Sequence, residues 1–202
     1  MLFRSDSVAR RAAVTTARGT VTGMLALLPR LSRIAADPTH EDAFDLDQAI
    51  TDVVGVMRGT IDPETVMTLE LAPIPLVRGV APEVKLALMG LVDNALQAVD
   101  ARTHAHDHPG RVTISTRVEG GLAVVAIFDT GEAVSDATRA RIFQPWFVPQ
   151  DGERCGMAYA SRIVVEKTGG FLTIDNAQDG GVTVFVKFPL VSPPRVDLAP
   201  AS

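Results

Sequence analysis

The stretch Leu91-Val92-Asp93-Asn94-Ala95-Leu96-Gln97-Ala98-Val99 carries apolar residues at helical spacing and sets two polar side chains, Asp93 and Asn94, among them. Leu86, Leu88 and Met89 extend the apolar stripe upstream, so Asn94 falls at its boundary, facing a sheet or a cleft. An amide oxygen on such a helix suits a hard cation such as Mg²⁺, which takes oxygen ligands and keeps several of its waters. Read alone, the commoner occurrence of such a residue is a solvated polar face. The order of the patterns that follow it decides between the two.

Downstream, Val124-Val125-Ala126-Ile127-Phe128 reads as a buried strand ending in Asp129-Thr130-Gly131. A carboxylate at that strand end can accept a hydrogen bond from an exocyclic amine, and the glycine beside it permits close approach to the backbone. The plainer reading is an aspartate in a turn or helix cap. Ile142-Phe143-Gln144-Pro145-Trp146-Phe147 gathers aromatics in a chain poor in them, as a packed loop anchor or part of a mobile lid. Gly152-Glu153-Arg154-Cys155-Gly156-Met157-Ala158 precedes a helical stretch; glycines at a helix start offer free N–H groups and a positive dipole end, which suits a polyphosphate.

Around these patterns the chain reads as alternating helices and strands. Val21, Met24, Leu25, Leu28, Leu31 and Ile34 make one apolar stripe over 7–36, and 36–42 is polar and linker-like. Leu46, Ile50, Val53, Val54 and Met57 share a face of a second helix opened by Asp45. A strand is expected over 63–72, a short companion over 76–79, a helix over 81–101 and a loop over 102–110. Strands over 111–119 and 122–129 are turned by Gly120-Gly121. A loop-rich middle over 130–154 leads to a helix over 156–168, and strands over 171–176 and 182–188 close the pattern, with a Pro/Ala-rich tail after Pro189. The expected fold class is α/β: a two-layer sandwich, one mixed sheet with helices on one face, preceded by an N-terminal helical segment.

The 202 residues, 47% of them hydrophobic and 21% charged, are enough for one domain with a proper core. A formal net charge of -5 argues against nucleic acid as the main partner. The single cysteine, Cys155, excludes an internal disulfide framework and fits a reducing compartment. No apolar run approaches the roughly 20 residues needed to cross a bilayer, so the chain is expected to be cytoplasmic without membrane contact of its own, on its own or within a membrane-anchored parent. His104, His106 and His108 could suggest a metal, but their Thr/Asp/Pro setting reads as a solvated loop.

Taken in order, these patterns resemble the GHKL (Bergerat-fold) ATPases, specifically the catalytic domain of sensor histidine kinases, over 44–190. LVDNALQAV is similar to the family's asparagine box, IFDTG to its first glycine box, RIFQPWF to its phenylalanine box and Gly152 to Ala158 to its second glycine box. EKTGG and GGVTVFVKFPL resemble its closing strands, and Gln97 after Asn94-Ala95-Leu96 is closest to the nitrogen-regulatory, NtrB-like group. The resemblance implies ATP and Mg²⁺ as ligands. Asn94 would hold Mg²⁺, Asp129 would accept from the adenine amine with Gly131 near the base, Gly152 and Gly156 would belong to the lid over the phosphates, and Thr183 would lie near adenine.

It also implies organisation and partners: 1–43 as a helical segment resembling part of a dimerisation hairpin, 44–190 as the ATP-binding domain, and 191–202 as a flexible tail. The γ-phosphate would pass to a histidine on a dimerisation helix, in a homodimer that serves a response regulator. His40, His104, His106 and His108 lie off any candidate dimerisation helix, so no phosphoacceptor is identified. Three positions depart from the pattern: Gly90 stands where a second metal-side asparagine is usual, Ala133 where the first glycine box continues to a glycine, and Arg154 at the middle of the second. They thin metal and phosphate handling while leaving adenine reading intact. The alternative they support is a degenerate domain of the same fold, acting as an interaction scaffold or phosphotransfer partner with little or no kinase activity.

Overall fold

Asp45 starts a helix by simple chemistry: its carboxylate accepts from the Gln48 N–H at 2.9 Å, satisfying a donor that the first helical turn leaves over. In the computed structural model, which describes residues 43–106, 109–141, 155–178 and 180–191, that helix is α1 (Leu46–Met57). Its expected apolar face, Leu46, Ile50, Val53, Val54 and Met57, is buried throughout. Before it, β1 (Ala43–Phe44) pairs antiparallel with β3 (Val77–Arg78), a two-stranded sheet separate from the main one. Two-residue strands such as Ala43–Phe44 are too short to show a period, so no sequence pattern announces this second sheet.

The main sheet holds β2 (Val66–Glu70), β4 (Arg111–Glu119), β5 (Leu122–Asp129), β6 (Phe171–Asn176) and β7 (Val182–Pro189), in the order β2-β4-β5-β7-β6. β2 runs parallel to β4 and every other pair is antiparallel, so the sheet is mixed as expected. Strand alternation sends Val112, Ile114, Ala123, Val125, Ile127, Val182, Val184, Val186 and Phe188 to one face, where all are buried. Their cluster continues into α1, α2 (Ala81–His106) and α4 (Cys155–Thr168), which form the helical layer. The other face carries Arg117 over the Phe185 ring at 5.7 Å and Lys187 over the Phe171 ring at 5.5 Å.

Local departures from the sequence reading have local causes. The strand expected over 63–72 shortens to β2 because Asp62 makes a turn: its carboxylate accepts from Glu64 N at 2.8 Å and its carbonyl from Thr65 N at 2.9 Å. Helix α2 runs to His106 rather than ending near 101, which moves Arg102 from a loop onto a helix. A further helix, α3 (Asp136–Arg141), lies in the stretch read as loop; Ser135 caps it by accepting from Thr138 N at 3.1 Å. Lys85 Nζ lies 2.6 Å from one oxygen of Asp52 and Gln48 Nε2 2.8 Å from the other, tying α1 to α2. The lysine, then the glutamine, holds the Asp52 carboxyl below its ordinary range. The tie is therefore complete above that range and is lost as pH falls below it.

The helix expected over 7–36, the aromatic cluster at 142–147, Gly152, Arg154, His108 and most of the tail after Pro189 lie outside the described residues. Among the described residues no helix is long and apolar enough to cross a membrane.

Leu96 of α2 is fully buried against this core, whereas Val165 of α4 is 50% exposed. Leu96→Ala is expected to cost about 2–5 kcal/mol of unfolding free energy in urea titration. Val165→Ala is expected to stay within about 0.5 kcal/mol.

Candidate nucleotide site

Asp129 is the last residue of β5, paired with Val112 on one side and Val182 on the other. Alternation therefore points its side chain at the helical layer, with Ile127 and Val125, and it is only 2% exposed. A carboxylate taken so far from water needs donors. One is built in: Oδ1 accepts from the Gly131 N–H at 2.8 Å.

That hydrogen bond requires the chain to fold tightly over α2. A Cβ added at Gly131 would lie 2.6 Å from the Ala98 Cβ and 2.7 Å from Asp129 Oδ1. The room given up by the missing side chain is thus taken by the helix and by the carboxylate, a use of the glycine that the sequence reading did not anticipate. Gly181, at φ +97, lies against the other side of the same corner: its Cβ would sit 2.1 Å from the Asp129 carbonyl oxygen. Glycine is the residue such contacts allow.

Asn94 lies one helical turn before Ala98, about 6 Å along the axis. It is 4% exposed, and its Nδ2 has no hydrogen-bond partner. The solvated polar face weighed in the sequence reading is not what the fold provides. A buried amide group left unpaired costs on the order of 1–3 kcal/mol, which a ligand can relieve. The residue suits a metal–phosphate ligand: the unpaired amide N–H can donate to a phosphate oxygen, while the amide oxygen is the kind of ligand Mg²⁺ takes. Next to it, Gln97 Nε2 donates to Asp93 Oδ2 at 2.7 Å, so Gln97 is engaged within the helix. Gly90, one turn earlier, is buried and supplies no second amide.

The structure thus joins Asp129 to Gly131 and sets Gly131 against Ala98, one turn after Asn94 on α2. It does not bring Thr183 to them. Thr183 pairs with Phe128, so it faces the side of the sheet away from the helices, and Val182 is the β7 residue on the face of Asp129. The two-residue period of the strand thus places Thr183 on the face opposite to Asp129. Gly156 lies in the first turn of α4, which packs on α2. Two residues not singled out by sequence frame the corner. Arg102 Nη1 donates to the carbonyls of Thr130 at 2.9 Å and Gly131 at 3.3 Å. Asn176 accepts from Val134 N and donates to Val134 O, both at 2.9 Å. Both act on backbone atoms, which leave no pattern in a sequence.

A helix-faced mixed sheet whose central strand ends in a buried aspartate, opposite a helix carrying a buried asparagine, is the architecture of a Bergerat-type ATPase domain. The family described as "Histidine kinase-, DNA gyrase B-, and HSP90-like ATPase" matches residues 79–192, and the chain belongs to it. Among curated relatives it is 29% identical to a putative sensor protein of Shewanella frigidimarina over 69% of this chain and 22% of that protein. It is 28% identical to the nitrogen regulation protein NtrY of Azorhizobium caulinodans over 69% of this chain and 18% of that one. Sporulation kinase B of Bacillus subtilis is 24% identical over 74% of this chain and 34% of its own length. The chain therefore spans a fifth to a third of the curated relatives it matches. Among solved structures, the catalytic domain of histidine kinase ThkA aligns with a TM-score of 0.64 at 20% identity, covering 75% of this chain and 96% of that domain. Full-length ShkA in complex with AMPPNP aligns at 0.65 and 22% identity, covering 91% of this chain and 39% of that one. These likenesses establish the histidine-kinase catalytic-domain fold.

Gly131→Ala must push α2 or the Asp129 carboxylate aside and is expected to cost about 1–3 kcal/mol. Gly181→Ala, where the obstacle is backbone and φ is positive, is expected to cost more. Thermal unfolding of the two variants checks the order.

Proposed function

We propose that the chain is the ATP-binding catalytic domain of a two-component sensor histidine kinase, which binds ATP with Mg²⁺ and delivers the γ-phosphate to a histidine on a dimerisation helix. The observation that carries this reading is a buried carboxylate, Asp129 on β5, bonded to Gly131 where Gly131 packs on α2 one turn after the buried, unpaired amide of Asn94. Family membership and the sensor-type relatives support it.

In this reading the Asp129 carboxylate accepts a hydrogen bond from the adenine amine while it also accepts from Gly131 N. Burial strengthens that bond and rejects a base presenting an acceptor at the same place. Asn94 holds the metal side, where a bound Mg²⁺ supplies charge neutralisation at the phosphate oxygens. Gly156 contributes a backbone N–H at the start of α4 to the phosphates, and the resemblance assigns Gly152 to the same lid. The γ-phosphorus is then attacked by an imidazole nitrogen from another helix, the bond to the bridging oxygen breaks, and ADP leaves. The protein's part is positioning and charge. A homodimer, a response regulator that receives the phosphoryl group and a cytoplasmic setting follow from the same reading. Gly90 supplies no second amide one turn before Asn94.

Calorimetric titration with an ATP analogue and with ADP, with and without Mg²⁺, tests the assignment. Asp129→Asn puts an amide donor against the adenine amine and is expected to weaken binding at least tenfold, about 1.4 kcal/mol. Asn94→Ala is expected to abolish the dependence on Mg²⁺. Unchanged affinity in Asp129→Asn would contradict the adenine assignment.

A further inference from the structure

The loop that follows Asp129 is gripped at both ends. At its start, Arg102 reaches from α2 to the carbonyls of Thr130 and Gly131, and Thr130 N donates to Arg111 O at 3.1 Å. At its end, the Asn176 side chain makes a matched pair of 2.9 Å hydrogen bonds with both backbone polar groups of Val134, imitating one rung of a sheet. Between the grips, Glu132 and Ala133 are exposed. Both grips share one base. Asn176 opens the β6–β7 turn, the Arg102 guanidinium lies 3.3 Å from where a Gly180 Cβ would be, and Gly181 in the same turn supports the Asp129 carbonyl.

We propose that Arg102 and Asn176 are positioning residues for adenine selection: they fix the 130–134 loop, and through Gly131 N the orientation of the Asp129 carboxylate, before nucleotide arrives. The proposal rests on the reading that Asp129 receives the adenine amine. An exposed loop free to move would have to be ordered during binding, and ordering it in advance removes that entropic cost from the binding step. It also keeps the carboxylate's second oxygen pointed in one direction, on which discrimination between an amine and a carbonyl depends. By its grip, Arg102 also links the loop to α2. It sits two helical turns after Asn94 on α2, so the metal-side residue and the base-side loop are borne on one rigid element.

The test uses Arg102→Met, which keeps the stem and removes the donors, and Asn176→Asp, which keeps the shape and replaces the donor to Val134 O with a carboxylate oxygen. Affinities for ATP and for GTP are measured by calorimetry alongside the melting temperature. The expected result is an ATP-over-GTP preference reduced about tenfold in each variant, with GTP affinity little changed and melting within a few degrees of wild type. Arg102→Lys, which retains the charge and a donor, is expected to recover most of the preference. A preference equal to wild type in both variants, or equal losses for both nucleotides in step with the melting temperature, would overturn the proposal. A wild-type protein that binds ATP without preferring it over GTP would instead overturn the adenine assignment at Asp129, and the positioning role with it.

Discussion

A carboxylate at the helix-facing end of the central strand has to be satisfied away from water, and the geometry around Asp129 follows from that constraint. With Asp129 2% exposed, its Oδ1 takes the N–H of Gly131 at 2.8 Å. A hydrogen bond to a charged group is worth about 1.5–3 kcal/mol, and leaving such a group unpaired costs at least as much. The chain can close that bond only by turning back onto α2, and only a residue without a side chain fits against Ala98. From the other side, the β6–β7 turn approaches so closely that Gly181 is required above the Asp129 carbonyl. Strand end, helix and turn are mutually fixed by one buried acceptor.

The same packing places Asn94. Because Gly131 packs on Ala98 and Asn94 precedes Ala98 by one turn, Asn94 and Asp129 are tied to one another through the Gly131 contact. The hydrophobic layer beneath, from Leu91 and Leu96 on α2 to Val125, Ile127 and Val184 on the sheet, supplies the stability. The polar corner directs that stability toward a defined arrangement. Surface charge pairs such as Arg162–Glu166 and Arg117–Glu119, both well exposed, add little by comparison.

Much of this could be read in the sequence because period and punctuation expose it. The faces of α1 and α2, the hairpin at Gly120-Gly121 and the two closing strands follow from spacing alone, and the buried strand ending in Asp129 was visible as an apolar run stopped by a carboxylate. What escaped has a physical reason in each case. One residue of strand register decides which face Thr183 takes, and Val182 is the β7 residue that shares the face of Asp129. Arg102 was read as loop because nothing in Arg102-Thr103-His104-Ala105-His106 announces that the helix continues. Asn176 works through the backbone of Val134, a contact between distant segments with no local signature. The cap at Ser135 was legible in principle, but α3 is too short to show a period.

The most direct measurement of the account is a crystal structure of the protein with a non-hydrolysable ATP analogue and Mg²⁺. The adenine amine is expected within hydrogen-bond distance of the Asp129 carboxylate, with Gly131 N still bound to Oδ1 and the Asn94 amide directed at the metal and phosphates. Nucleotide seated elsewhere, or adenine bound without contact to Asp129, would contradict it.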